Sequence, residues 1–527
     1  MDVRTRTLAL ATPHTAATDA GRATFAEGGT AVDAALAACA TLTVVYPHMC
    51  SIGGDAIALV HAPNGTVTAV NGSGAAPAAL DAARVRAALE RDPAPTTRTG
   101  MPVRGPHTVT VPGVLAAWET LHKLGGALPL ARLLRPAIEY AAEGCGVSRS
   151  LAETLTWEPH VFAGDPGLAA VFFRDGHPLI EGGVFRQPAL AASLDEIARD
   201  GIGVFYRGEL GARYVAGLTA AGSVMSVDDL AAHETDLTEP LRHAAFGHDV
   251  LTAPPNSQGY VLLQLLAAME RVAAVPPDPL GPAAATLARL FRVASDDRDQ
   301  HLCDPRFHDV PLDELLSAER FRMLAEGALR SGPDRNTTEQ ASGDTIACVA
   351  ADSDGWAVSV IQSIYQAFGA AILEPSTGIV AHDRGACFSL DPASPNLLEG
   401  GKRPLHTLMP VMVRRGGRLA IVAGTMGGEA QPQIHAQILS RLLGDRADVA
   451  TAVAAPRWIY DEGRLFAESS VPAPCLTALR APGMPVELLD AFDETVGHAQ
   501  YVRIAVDGAM EAASDPRADG AADVTPV

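Results

Sequence analysis

Residues 27–46, EGGTAVDAALAACATLTVVY, constrain the fold more than any other stretch of the chain. Gly28-Gly29 end whatever element precedes them, and Thr30 with Asp33 forms a T-x-x-D capping box that starts a helix. That helix is apolar on nearly every side. With no polar face to offer water, it has to sit between layers rather than on the surface. Helical periodicity with Pro or Gly punctuation recurs near 113–124, 128–143 and 257–272.

The last third of the chain changes character. Residues 326–344, EGALRSGPDRNTTEQASGD, are polar, glycine-bearing and aperiodic, and are expected to form a loop or an exposed, cleavable linker. They run into TIACVAA and WAVSVIQS, two strand-like segments either side of the turn Asp352-Ser353-Asp354-Gly355. If that turn connects a hairpin, partner numbers sum to 707 or 708, and Thr345 lies opposite Gln362 or Ser363. Further strand signals fall at 409–414, 418–423 and 500–505, and no internal repeat has a fixed period.

Composition narrows the partners. The chain has 527 residues, 48% hydrophobic and only 19% charged, as expected of a globular protein with a large core. Its 40 basic and 61 acidic residues give a net charge of −21, which argues against nucleic acid or an anionic membrane as partner. No run of 18 apolar residues occurs and the first 21 residues hold no usable apolar h-region, so neither a membrane span nor a secretory signal is expected. Seven scattered cysteines without C-x-x-C spacing fit reduced thiols in a cytoplasmic protein.

The common catalytic signatures are missing: no G-x-S-x-G, H-E-x-x-H or G-x-x-x-x-G-K-[ST] is present. HLCDPRFH (301–308) has the composition of a metal site but matches no standard spacing, so packing and capping roles are expected and no metal. IGGD (52–55), NGSG (71–74) and GTMGG (424–428) could cradle an anion, but none sits in a G-x-G-x-x-G frame. One nucleophile class remains. A threonine hydroxyl can attack an amide when the free α-amine of the same residue acts as its base. The threonine must then begin a chain, which here requires self-cleavage between Asp344 and Thr345. Local sequence alone does not separate this role from that of an ordinary strand threonine.

Longer blocks do. Residues 28–60 (GGTAVDAALAACATLTVVYPHMCSIGGDAIALV) resemble the N-terminal signature of the γ-glutamyltransferase family, and 111–148 are similar to its next block. APPNSQG (253–259), DDRDQHLCDP (296–305), GDTIACVAADSDGWAVSVIQSIYQAFG (343–369), GKRPLHTLMP, GTMGGEAQPQ and ASDPRADG follow in the family's order over essentially the whole chain. The resemblance implies the N-terminal-nucleophile hydrolase fold, a four-layer αββα sandwich. It further implies a precursor cut into a large subunit (1–344) and a small subunit (345–527) that remain one structural unit. Carried over by position, Thr345 is the nucleophile and base, Ser363 the hydroxyl beside its amine, and Gly427 and Gly428 the oxyanion donors. Ser73, Tyr365, Arg384, Cys387, His406 and Thr407 fall in the substrate pocket.

The pocket departs from the family pattern. Ser73 stands where an arginine clamps the glutamyl α-carboxylate, Arg384 and Cys387 where an amide and a carboxylate hold its α-amine, and His406-Thr407 where a serine pair stands. Serine cannot bind a carboxylate in bidentate fashion and a neutral thiol cannot pair with an ammonium. The expected substrate is thus a small amide whose acyl group carries a carboxylate or carbonyl but no free α-amine, hydrolysed without metal or organic cofactor. Genuine γ-glutamyl transfer, oxalyl-type C–C cleavage and a non-catalytic family member stay open as alternatives, and Arg384 could instead pair with Asp383 or Glu374 at the surface.

Overall fold

The computed structural model describes residues 5–330, 344–461 and 463–526. Thirteen strands build two sheets: β1 (Thr7–Thr12), β2 (Asp55–His61), β3 (Val67–Asn71), β4 (Asp236–Thr238), β5 (Leu241–Ala245), β6 (His248–Thr252), β7 (Asp344–Asp352), β8 (Ala357–Tyr365), β9 (Val411–Arg415), β10 (Arg418–Thr425), β11 (Ala499–Ile504), β12 (Met510–Ser514) and β13 (Ala521–Pro526). The first sheet has the order β13-β1-β7-β8-β2-β3-β4 and the second β12-β11-β10-β9-β6-β5. Every ladder in both is antiparallel.

Period-two alternation explains the layering. Along β1, Leu8 and Leu10 pack towards helices while Ala9 and Ala11 pack towards the other sheet; Cys348 and Ala350 alternate with Val349 and Ala351 in the same way along β7. Small inward residues let Leu251, Met412, Val422 and Val502 of the second sheet close onto the first. Helices cover both outer faces. The capped helix Ala31–Val45, with every residue buried, lies against the first sheet, and its Thr30–Asp33 capping box forms as the sequence predicts. Helices Gly259–Val272, Ala284–His301 and Gln431–Leu442 cover the second. The result is the expected four-layer αββα arrangement.

The hairpin also forms, with partners summing to 708 from Ile346↔Gln362 to Ala351↔Ala357, then slipping by one at Asp344↔Tyr365. The expected linker 326–344 is shorter than its composition suggests. The helix Ala318–Leu329 runs into it, Asp344 already belongs to β7, and 331–343 lie outside the described residues. Sequence reading also passed over β1 to β6. Among the described residues, no helix is long and apolar enough to cross a membrane.

Candidate active site

The register puts three polar side chains on one spot. Ser363 pairs with Asp55 across β8 and β2, and both share the inward parity of Ile361 and Ile57, so they face the gap between the sheets. The slip at the start of β7 brings Thr345 beside them, and its Oγ1 donates to Ser363 Oγ at 3.1 Å. Thr345 and Ser363 are both 1% exposed. The Tyr365 N–H also donates to Ser363 Oγ, at 2.8 Å, and Tyr365 holds a left-handed φ of 79°. Such a conformation costs a non-glycine residue roughly 1–3 kcal/mol and recurs where a side chain must be aimed.

Arg384 joins this group from a short 3-10 turn, Arg384–Cys387. It is buried, 1% exposed, with its guanidinium 4.3 Å above the Tyr365 ring. Nη1 donates to Thr407 Oγ1 at 3.0 Å and approaches Cys387 Sγ at 3.6 Å; Nη2 lies 3.5 Å from Ser363 Oγ. The surface ion pair with Asp383 or Glu374 does not form. Glu374 is tied up by Ser376 and Thr377, and among the described residues no carboxylate pairs with Arg384. Burial raises the Cys387 thiol pKa against the pull of Arg384, so the sulfur stays protonated beside the cation.

Gly427 and Gly428 follow β10 at the same end of the gap. Gly427 has φ 132°, and a Cβ there would lie 2.4 Å from Ile434 Cδ1, so only glycine fits. Among the described residues neither N–H has a hydrogen-bond acceptor. Gln258 Nε2 fastens this turn to the Arg384 side by donating to both Gly428 O and Thr407 O at 2.9 Å. Thr345, Ser363, Arg384, Thr407 and Gly428 are thereby linked by one hydrogen-bonded path.

Ser73 and His406 adjoin that path but turn their polar atoms inward. Ser73 Oγ donates to Asn71 Oδ1 at 2.7 Å within an amide cluster completed by Asn256. His406 Nδ1 accepts from Leu408 N–H at 3.3 Å, and Nε2 lies 3.2 Å from Asp55 Oδ2. Asp55 was not singled out by sequence reading. Burial opposes its ionisation, yet His382, His406 and Arg384 outweigh that and hold its carboxyl below the usual range. Burial, reinforced by Arg384, drives His406 down to about 3, so the ring is neutral and meets Asp55 as an N–H donor. A signal for Asp55 existed: it is a carboxylate opening the apolar run AIALV, and such a group has to find partners when buried.

The glycines of IGGD and NGSG serve close packing. A Cβ on Gly54 would lie 2.3 Å from Ser363 O, and one on Gly74 1.5 Å from Val111 O. In 301–308, Asp304 pairs with Arg306, Cys303 faces His308 O and His301 Nδ1 bonds Asp297 O. Among the described residues no three His, Cys, Asp or Glu side chains converge as a metal site would need. All seven cysteines are free and buried.

Asp383, beside Arg384, carries a testable cost. Its Oδ1 accepts from Gln366 N–H at 3.0 Å while Oδ2 has no partner, and burial lifts its pKa to about 6 despite Arg104 and Arg384. A carboxyl raised above its unfolded value stabilises the native state when protonated, and that advantage disappears as pH rises through about 6. Asp383→Asn should therefore stabilise the fold relative to wild type at pH 8, by at most about 3 kcal/mol, and lose the gain towards pH 4. Urea unfolding of both proteins at the two pH values checks this; a gain independent of pH rejects the assignment.

The chain matches the Gamma-glutamyltranspeptidase family model over residues 17–525. An oxamate amidohydrolase proenzyme of Klebsiella pneumoniae is 36% identical, with 99% of each chain covered. A glutathione hydrolase-like proenzyme of Bacillus subtilis is also 36% identical, with 97% of each covered. The crystal structure of a cephalosporin acylase from Bacillus halodurans superposes with a TM-score of 0.89 at 31% identity, covering 98% of this chain and 96% of that one.

Proposed function

Because the chain belongs to the gamma-glutamyltranspeptidase family, we propose that it is an autoprocessing N-terminal-threonine hydrolase that cleaves small amides whose acyl group bears a carboxylate and no α-amine. In the precursor, Thr345 Oγ1 attacks the Asp344 carbonyl carbon, the C–N bond breaks, and water hydrolyses the resulting ester. This frees the Thr345 α-amine and leaves subunits of residues 1–344 and 345–527. In turnover, Oγ1 attacks the substrate carbonyl and passes its proton to that amine. The oxyanion is received by the Gly427 and Gly428 N–H groups, each worth ~3 kcal/mol to such a reaction. Collapse expels the leaving amine, which takes the proton. Water then attacks the acyl ester with the α-amine as base, and the acid departs.

The observation that carries the specificity is Arg384: a buried guanidinium 3.5 Å from the hydroxyl that touches the nucleophile, without a carboxylate of its own among the described residues. A substrate carboxylate supplies the missing anion. Cys387, protonated and next to that cation, offers nothing to an ammonium. Seven unpaired, buried thiols accord with a reducing, cytoplasmic setting. The test is a panel of anilides carrying oxalyl, succinyl, glutaryl and γ-glutamyl groups. The first three are expected to give kcat/KM values at least about tenfold above the γ-glutamyl anilide, the cost of about 1.4 kcal/mol in head-group binding. Preference for the γ-glutamyl donor rejects the proposal.

A further inference from the structure

The turn that presents the two uncommitted N–H groups of Gly427 and Gly428 is closed by its own backbone, Ala430 N–H to Gly427 O at 2.9 Å and Gln431 N–H to Gly428 O, and is aimed at the site by side chains from outside. Among the described residues, the one side chain that reaches Gly428 O is Gln258, whose Nε2 also holds Thr407 O. Gln258 is in turn oriented from behind: its Oε1 accepts from Arg298 Nη1 at 3.3 Å. The same Nη1 lies 3.4 Å from Glu429 O, and Nη2 donates to Glu429 Oε2, so Arg298 grips the residue after the glycine pair by backbone and side chain together. Asp299 Oδ1 fixes the guanidinium plane through Nε at 2.8 Å and Nη2 at 2.7 Å. Arg98, from the loop between helices Ala82–Arg91 and Val114–Gly125, completes the cluster at 2.8 Å from Asp299 Oδ2 and 3.7 Å from Glu429 Oε2.

Stability is a poor reason for such a cluster. The Arg298 side chain is 3% exposed, and buried ion groups are commonly replaceable by apolar residues of like volume without loss. What an apolar residue cannot supply is direction: one planar fork that holds Gln258 and Glu429 in fixed relation, with Gln258 tying Thr407 O to Gly428 O. Resting on the proposed hydrolase reading, we infer that Arg298 is a positioning residue that acts through Gln258 and Glu429 to hold the Gly427–Gly428 N–H pair where the substrate oxyanion forms. It touches no reacting atom. Its contribution is made chiefly when negative charge develops on the carbonyl oxygen, because the proposed ground-state contact of the substrate carboxylate is with Arg384, which Arg298 does not touch.

The experiment uses purified, processed enzyme and whichever anilide of the panel wild type cleaves fastest. Arg298→Lys keeps the charge but cannot reach Gln258, Glu429 and Asp299 at once. It should lower kcat about 10- to 100-fold, the range for lost support of a reacting group, with KM within about threefold of wild type. Gln258→Met removes the relay from the other side and should give a similar loss, and the double variant should lose little more than either single one. Additive losses, a rise in KM with kcat intact, or unchanged kinetics in Arg298→Lys would each overturn the inference. If Arg298→Lys does not fold, Gln258→Met paired with Glu429→Gln runs the same cycle. An active Thr345→Ala enzyme would instead bring down the underlying hydrolase reading, so the two failures are distinguishable.

Discussion

Thr345→Ala should yield one uncut polypeptide with no measurable turnover, where wild type is expected to yield two, one ending at Asp344 and one beginning at Thr345. On the proposed mechanism the substitution removes the hydroxyl that serves both self-cleavage and acyl-enzyme formation, so both activities should go together. Loss of a nucleophile in related chemistry costs about 10⁴-fold or more, larger than any other single change here. The fold should survive, since Thr345 contributes one hydrogen bond, to Ser363, worth about 1 kcal/mol. Thr345→Ser keeps the hydroxyl and should cleave itself and turn over, more slowly than wild type. Intact mass and a denaturing gel read the processing, and the anilide panel reads the turnover. Cleavage at the same bond in the alanine variant, or full activity from uncut wild type, would remove Thr345 from the mechanism.

The parts of this molecule that were legible in the sequence are those governed by local rules. The capping box at Thr30 and Asp33 predicted a helix start, and the turn at 352–355 predicted the hairpin and its register from residue numbers alone. Strands β1 and β2 were not legible in their sheet positions, because each pairs with a strand far away in the chain: Leu8 with Asp352, and Asp55 with Ser363. The β2–β3 pair is local, Ile57 to Asn71, but its short runs were passed over. A short run such as TLALAT carries too little periodicity to announce itself, and only the second sheet beneath it explains its alternating alanines.

The site divides along the same line. Thr345, Ser363, Gly427 and Gly428 were placed by motif, and the fold brings them to one end of the inter-sheet gap. Ser73 and His406 were assigned to substrate by position, yet their polar atoms are engaged by Asn71, Asn256, Asp55 and the Leu408 N–H. Asp55, Gln258 and Arg298 were not identified because each acts through a neighbour from another part of the chain. Their roles are properties of a register or a packed network, which a linear reading of residue types does not contain.

Arg384→Gln should separate binding from stability. In the free enzyme, the guanidinium is buried over Tyr365 and bonded to Thr407, with Cys387 and Ser363 beside it; the Asp55 and Asp383 carboxyls feel its charge but neither forms an ion pair with it. A buried cation without an adjacent anion carries a desolvation cost of several kcal/mol. Glutamine has similar reach, can still bond Thr407 Oγ1 and removes that cost, so the variant should unfold at a higher urea concentration than wild type. Substrate binding should move the other way. A charge-assisted contact to a carboxylate, once lost from a buried site, costs about 3–4 kcal/mol, or roughly 10²- to 10³-fold in kcat/KM, expressed mainly in KM. An uncharged acyl anilide such as butyryl makes no such contact and should change by less than about threefold, which isolates the charge from any general damage. Arg384→Lys retains the charge but not the planar fork, and should fall between the two. Equal losses on the charged and uncharged anilides would mean that Arg384 shapes the pocket rather than reading the carboxylate. A destabilised glutamine variant would mean that the cation is compensated within the protein.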